Sequence, residues 1–309
     1  MADLTPIRPF PVSDTIGRIW SEIERLDLVR NIAELEAFGF TMVPPEKVAP
    51  PEAIANLREG VIDVAERRTG RRPHVDAAAD EIGREYRDAF GLPLPYLTFE
   101  DPAFEQAIVN PAALAIVTYL LGESCRLSDT AALIKGPGGS DLSLHADNLR
   151  IPDPFPPLAQ ICNVTWCLTD YSLENGSISF VPGSHRYYRR PLDGEGVGER
   201  VAVTAPAGSL IIFSGHTWHG AFARTAPGLR VSLIGYYCRS HILPQGDYSR
   251  AAVPAEALAR NPARFATLMG SHITYGYRSE GPPSVQAIIK GERARVVSSA
   301  EAVGKHAFD

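Results

Sequence analysis

Three side chains offer the clearest chemistry in this sequence. Leu144-His145-Ala146-Asp147 sets an imidazole and a carboxylate two positions apart. Alternate side chains of an extended segment point the same way, so the two groups converge without a special turn. A third ligand has to come from a distant strand. Trp218-His219-Gly220 supplies one 219 − 147 = 72 residues later, beside a glycine that admits close backbone approach. Two histidines and one carboxylate leave positions open on an octahedral ion, the facial arrangement of non-haem Fe(II) oxygenases. A cosubstrate and O₂ can take those positions. His-x-Asp alone arises often by chance, so its surroundings decide. His216, three positions before His219, competes for the third place; the Trp-His-Gly context favours His219 and makes His216 a rim residue.

The elements that must position these groups fall into two textures. Apolar residues recur at helical spacing from Asp14 to about Glu36 (Ile16, Ile19, Trp20, Ile23) and from Pro51 to about Arg68 (Ile54, Leu57, Val61, Ile62, Val64). Pro51 suits a first helical turn and Gly70 a helix end. A third helix is predicted over Pro111 to Leu121, stopping at Gly122, and a short strand entered through Gly39 over 38–44. From Cys125 the pattern changes to short runs of period two, rich in Val, Ile, Thr and aromatics and broken by Gly and Pro. Strands are expected near 128–135, 140–145, 160–168, 177–182, 199–204, 208–213, 217–223 and 229–238. About eight strands make a double-sheet jelly roll of the cupin kind. A helix over about Ala255 to Leu268 and an irregular tail follow. The fold expected is mainly β with α in one domain over 1–309. Residues 1–124 form a mainly helical support without metal ligands, 125–240 the jelly-roll catalytic core, and 241–309 a C-terminal helix and tail.

Around the candidate ligands the motifs become specific. Thr169-Asp170-Tyr171-Ser172-Leu173-Glu174-Asn175-Gly176-Ser177 precedes Phe180-Val181-Pro182-Gly183-Ser184-His185. Gly208-Ser209-Leu210-Ile211-Ile212-Phe213, Trp218-His219-Gly220 and Arg230 follow in order. This series resembles the phytanoyl-CoA dioxygenase family over about residues 125–240, and Gly39-Phe40 resembles the family's opening. The resemblance implies a double-stranded β-helix core and an Fe(II)/2-oxoglutarate-dependent dioxygenase with His145, Asp147 and His219 on iron. It puts Arg230 on the far carboxylate of 2-oxoglutarate, and Asn163 and Trp166 on the strand lining the same pocket. One departure matters: relatives often carry a hydroxyl two positions after the last ligand histidine, where this chain has Ala221. Ser232 can replace it, because Arg230-Val231-Ser232 puts a guanidinium and a hydroxyl on one strand face, and some other 2-oxoglutarate oxygenases use such a pair. Thr165 is the alternative hydroxyl. The implied reaction hydroxylates a C–H bond with release of succinate and CO₂; a carboxylate at 147 leaves halide no place on the iron, unlike in related halogenating enzymes.

Other notable residues have plainer readings. His185 fixes a turn, and the basic run Arg67-Arg68-Thr69-Gly70-Arg71-Arg72 is a solvated helix end where cations complement the dipole. Arg186, Arg189 and Arg190 are equally suited to solvent and to an anionic substrate. Pro-rich 151–157 is equally suited to shaping substrate access and to serving as a rigid surface connector. Thirty basic against 36 acidic residues give a net charge of −6, without the positive field that a phosphate backbone requires. No nucleic-acid or membrane partner is expected, and with no signal-like opening or long apolar run a cytoplasmic protein is. Four cysteines without a Cys-x-x-Cys pair read as buried free thiols. The expected partner is a small-molecule substrate, a metabolite or natural-product intermediate, since no CoA-specific motif is present; a homo-oligomer is left open. Two other classes compete: a cupin-like metalloenzyme that does not use 2-oxoglutarate, and a non-catalytic jelly-roll binding protein. Arg230 at the family spacing argues against the first, and the intact ligand set against the second.

Overall fold

The computed structural model describes residues 14–148, 151–248 and 252–270. The first amphipathic stretch forms two helices, α1 (Asp14–Arg25) and α2 (Val29–Phe38). They break where Asp27 takes a φ of 52° and receives Lys47 Nζ on both its carbonyl and its carboxylate. β1 (Phe40–Val43) follows, then α3 (Pro51–Thr69), with Pro51 in its first turn and Gly70 returning its N–H to Glu66. β2 (Leu92–Leu94) and α4 (Pro102–Ile108) lie outside the sequence expectation, although Asp101-Pro102 is a legible start: the Asp101 carboxylate accepts from the Ala103 amide. α5 spans Pro111–Leu121, capped by Asn110 and closed at Gly122.

All eight expected strands are present: β3 (Arg126–Lys135), β4 (Leu142–His145), β5 (Ile161–Cys167), β6 (Ile178–Phe180), β7 (Val201–Ala202), β8 (Leu210–Ser214), β9 (His219–Ala221) and β10 (Arg230–Cys238). They form two antiparallel sheets, one of six strands in the order β1-β8-β5-β10-β3-β2 and one of four in the order β4-β9-β6-β7. This is the expected jelly roll, mainly β with flanking helices. The division at Cys125 is less clean than expected, because β1 and β2, from the first 124 residues, are both edges of the larger sheet. The expected C-terminal helix is two short ones, α6 (Ala255–Arg260) and α7 (Ala263–Leu268), separated at Asn261-Pro262, where proline cannot continue the first helix. The tail beyond residue 270 lies outside the described residues.

Helices cover the outer face of the six-stranded sheet. Its outward residues, among them Cys162, Val164, Trp166, Leu210, Leu233 and Tyr237, join one apolar cluster with Leu57, Val61, Phe104 and Leu114. The inner face builds a second cluster from Cys167, Ile211 and Phe213 with Phe180 of the smaller sheet. A sheet buried on both faces reads as near-continuous apolar runs, which is why β8 looks almost uniformly hydrophobic. All four cysteines are buried free thiols, as expected. Among the described residues no single helix is long and apolar enough to cross a membrane.

The junction of α2 and β1 is clamped to the far side of the fold. Gly39 O accepts from Ser214 N and from Thr217 Oγ1, and Gly183 N donates to Phe38 O. Gly39 has a φ of 87°, and a Cβ there would lie 2.5 Å from Thr217 Oγ1 and 2.6 Å from His185 Nδ1. Only glycine fits both the left-handed backbone and the space. Gly39→Ala is expected to lower the unfolding free energy by about 1–3 kcal/mol, read as a reduced denaturant midpoint at unchanged slope.

Candidate metal centre

β4 and β9 are antiparallel neighbours with His145 directly opposite His219. Their rings lie 4.2 Å apart between centroids. Asp147 sits just past the end of β4, where its N–H donates to Gly215 O at 2.9 Å. Ala146, between the two candidate ligands, points the other way into a cluster with Phe155, Val181 and Trp218. The pairing of β4 and β9 needs Gly220, because a Cβ there would run into the Leu142 carbonyl. As a result, one ligand atom from each of His145, Asp147 and His219 lies within 4.8 Å of the others.

Both imidazoles are set for coordination through Nε2. His145 Nδ1 lies 2.9 Å from Ser143 O and His219 Nδ1 lies 3.0 Å from Thr217 O. A carbonyl can only accept, so each Nδ1 carries the proton and each Nε2 presents a lone pair. The two Nε2 atoms are each 3.5 Å from an Asp147 oxygen. Burial pushes Asp147 up, but His219, His145 and Asn163 together hold it down at about 2. Burial also takes His219 down to about 4, so near neutral pH it is an uncharged donor. On His145 burial lowers the pKa, but donation to the Asp147 carboxylate, the Asp147 charge and the Ser143 carbonyl together outweigh it and raise the pKa, so a metal ion arriving at that Nε2 displaces a proton. An anionic carboxylate and neutral imidazole lone pairs are the donor set a divalent transition metal takes. The His145 and Asp147 side chains are 32% and 23% exposed against 7% for His219, so the set is open on the first two. Phe213 and Phe180 wall the His219 side at 4.6 and 6.1 Å.

The remaining expected residues separate by strand face. Asn163 Nδ2 donates to Asp147 Oδ2, and its own Oδ1 is buried without a partner. Thr165 shares this inner face, two positions on. Trp166 does not: three positions from Asn163 on an unbroken strand, it emerges on the outer face opposite Leu210 and Leu233 and joins the helix-side cluster. An expectation that both line one pocket conflicts with the period of a strand, and the structure corrects it for Trp166.

Arg230 and Ser232 are inward on β10. Arg230 is 3% exposed; Nη1 donates to Gly176 O, Nε has no partner, and the guanidinium lies 4.8 Å over the Tyr171 ring. Ser232 Oγ donates to Leu133 O at 3.3 Å. Two cations that the sequence reading passed over stand beside them. Lys135, directly across from Arg230, is fully buried with Nζ donating to Ala89 O and Phe222 O, and burial, then Arg230, takes it down to about 8. Arg224 is taken down to about 10 by the same two causes. A lysine ending an apolar strand was the available signal.

Several side residues are accounted for structurally. His216 is outside the ligand cluster; its ring stacks 5.3 Å from Phe155 of the Pro-rich loop, and its buried Nε2 has no partner. His185 contacts Glu36 O, as a turn-fixing residue should. Arg186 donates to Glu36 O, Arg189 pairs with Glu195, and Arg190 pairs with Asp153 while holding Asn148 O and Ile151 O. The basic run pairs along the α3 end: Arg67 and Arg68 with Glu100, Arg72 with Glu59, Asp63 and Glu66. His219→Ala and Asp147→Ala are expected to lose most divalent-metal binding in equilibrium dialysis, whereas His216→Ala retains it; metal lost from the His216 variant and kept by the His219 variant would reverse the assignment.

The family model for phytanoyl-CoA dioxygenase (PhyH) matches residues 35–232. The chain is 30% identical over 184 residues to dioxygenase af480 of Aspergillus fumigatus, covering 58% of this chain and 59% of that protein, so it spans about six tenths of that relative's length. Among solved structures it is similar to HygX from Streptomyces hygroscopicus with nickel and 2-oxoglutarate bound, at a TM-score of 0.55 and 18% identity over 70% of this chain and 88% of the other. It is also similar to SnoK, a non-heme alpha ketoglutarate dependent carbocyclase from nogalamycin biosynthesis, at a TM-score of 0.54 and 21% identity over 69% and 84%. At such identities the two structures establish the jelly-roll fold alone. The match from β1 to the inward Ser232 takes in every strand that carries the cluster, and this chain belongs to the phytanoyl-CoA dioxygenase family.

Proposed function

We propose that this chain is an Fe(II)- and 2-oxoglutarate-dependent dioxygenase that hydroxylates a C–H bond of a small metabolite or natural-product intermediate. One observation carries the reading: an open His/Asp/His set shares a barrel interior with a buried arginine whose Nε is unpaired. The first suits a metal with free positions, and the second, flanked by Lys135 and Arg224, suits a dianionic cosubstrate. HygX, with nickel and 2-oxoglutarate in a similar fold, supports it.

When bound, iron with 2-oxoglutarate and O₂ supplies the oxidising chemistry, and succinate and CO₂ leave. The chain's own residues do the rest. His145, Asp147 and His219 hold the metal, with the Ser143 and Thr217 carbonyls fixing the imidazole tautomers. Asn163 fixes the rotamer of Asp147 so that one carboxylate geometry is presented. Arg230 grips the far carboxylate of 2-oxoglutarate with a fork that binds both oxygens, and the Tyr171 ring behind it keeps the guanidinium plane in place. Ser232, on the same face, takes over from the hydroxyl that Ala221 lacks. Phe180 and Phe213 keep water from the His219 side.

Purified chain given Fe(II) and 2-oxoglutarate radiolabelled at the 1-carboxylate is expected to release labelled CO₂; a metal-loaded chain that releases none would refute the reading. Ser232→Ala removes a hydrogen bond to a charged group, worth about 1.5–3 kcal/mol, so the KM for 2-oxoglutarate is expected to rise by about tenfold or more with metal content unchanged. Arg230→Ala should do far worse. An unaltered 2-oxoglutarate dependence in the serine variant would transfer the role to Thr165 or Tyr171.

A further inference from the structure

Across the inner face of the six-stranded sheet the register aligns Asn163 on β5, Tyr236 on β10 and Asp129 on β3. Asn163 holds Asp147, so this row begins at the metal cluster. Neighbouring strands are about 4.8 Å apart, which puts Asp129 about 10 Å along the row. Tyr236 stands between the two ends of this row, paired with Asn163 on one side and Asp129 on the other. Neither Tyr236 nor Asp129 is needed to hold metal or cosubstrate.

Asp129 is a buried carboxylate, 3% exposed, and forms no ion pair with any of the described residues. Its Oδ2 accepts from the Tyr96 amide at 3.3 Å, and its Oδ1 has no hydrogen-bond partner. Burial pushes the carboxyl up, and the Thr130 and Tyr96 amides and the more distant Arg68 only oppose this. Arg68 is engaged elsewhere, with Pro95 O at 2.7 Å and Glu100 at 2.9 Å, and Arg67 is also spent on Glu100. Buried charges are ordinarily paired, so an unpaired one marks a place where a partner arrives. The surroundings say what kind. Tyr96 holds a left-handed backbone, φ 60°, that a tyrosine adopts only at a cost, and the residue is 61% exposed. Asp129 also lines a cleft of about 490 Å³ walled by Tyr96, Phe99 and Tyr248.

We propose that Asp129, one sheet row from the metal centre, is the substrate-recognition carboxylate of this oxygenase and selects a substrate bearing a protonated amine, met in the cleft beside Tyr96, Phe99 and Tyr248. The inference rests on the metal centre described above for calling that ligand the substrate. A neutral hydroxyl would supply a hydrogen to Oδ1 but leave the buried charge uncompensated; a protonated nitrogen supplies both, and aromatic faces add cation–π attraction.

The test uses the full chain and three probes of one hydrocarbon length: n-butylammonium, 1-butanol and butanoate, followed by ligand-observed NMR titration. Wild type is expected to bind the ammonium at least about tenfold more tightly than the alcohol and to exclude the carboxylate. Asp129→Asn should lose that preference while its affinity for the alcohol stays the same. Equal binding of ammonium and alcohol by wild type, or an undiminished ammonium preference in the variant, would overturn the proposal, and the wild-type comparison decides even if the variant does not fold. Iron uptake by the wild-type chain is measured alongside. Failure to take up iron with the ammonium preference intact would overturn the metal-centre reading and leave Asp129 as an amine site.

Discussion

The six-stranded sheet is buried on both faces, and that constraint settles where every chemical group points. On β5, Cys162, Val164 and Trp166 fill the layer beneath the helices while Asn163, Thr165 and Cys167 fill the barrel. A slip of one residue would exchange the two sets and put asparagine and threonine into an apolar layer with nothing to bond. The helices therefore hold the site in register from outside the barrel, and among the described residues the metal-ligating cluster draws on none of them. The same logic extends to β10, where Arg230, Ser232 and Tyr236 face inward because Val231, Leu233 and Tyr237 are taken by the outer layer.

Charge inside the barrel is segregated along its length. Arg230, Lys135 and Arg224 gather at the end where β10 begins, and Asp147 and Asp129 lie toward the other. Among the described residues, none of the three cations has a carboxylate as a hydrogen-bond partner. Carbonyls hold them instead: Gly176 O for Arg230, Ala89 O and Phe222 O for Lys135, Gly228 O and Asn175 O for Arg224. Carbonyl dipoles fix a cation in place without cancelling its charge, so an arriving anion meets a positive potential already oriented and needs little rearrangement.

Much of this was legible from residues alone, for identifiable reasons. Strand alternation put His145 and Asp147 on one side, Gly220 marked the close approach of β9, and proline and glycine punctuated α3 and α5 as they stand. What was not legible depended on partners distant in sequence. β2 is three residues long and carries too little periodicity to be seen, and the break between α1 and α2 depends on Lys47 reaching back to Asp27. Trp166 was misplaced because family likeness was read without the period of its strand. Lys135 and Asp129 acquire meaning only from the register that sets them against Arg230 and Tyr236, and Tyr171 only from lying under the Arg230 guanidinium.

The edges of the larger sheet have a consequence for how the chain assembles. β1 pairs with β8 through Phe40 and Phe213, 213 − 40 = 173 residues apart, and β2 closes the opposite edge against β3. Ribosomal synthesis delivers β1 first, yet its pairing partner emerges only after most of the chain has been made. Until then the amphipathic helices have no complete surface to cover, and loop closure of that span must precede its reward. Such a topology folds slowly and leaves strand edges open meanwhile. Pro93, in the middle of β2, lacks the N–H a further strand would need, and so closes that edge to the neighbouring molecules a slow folder meets.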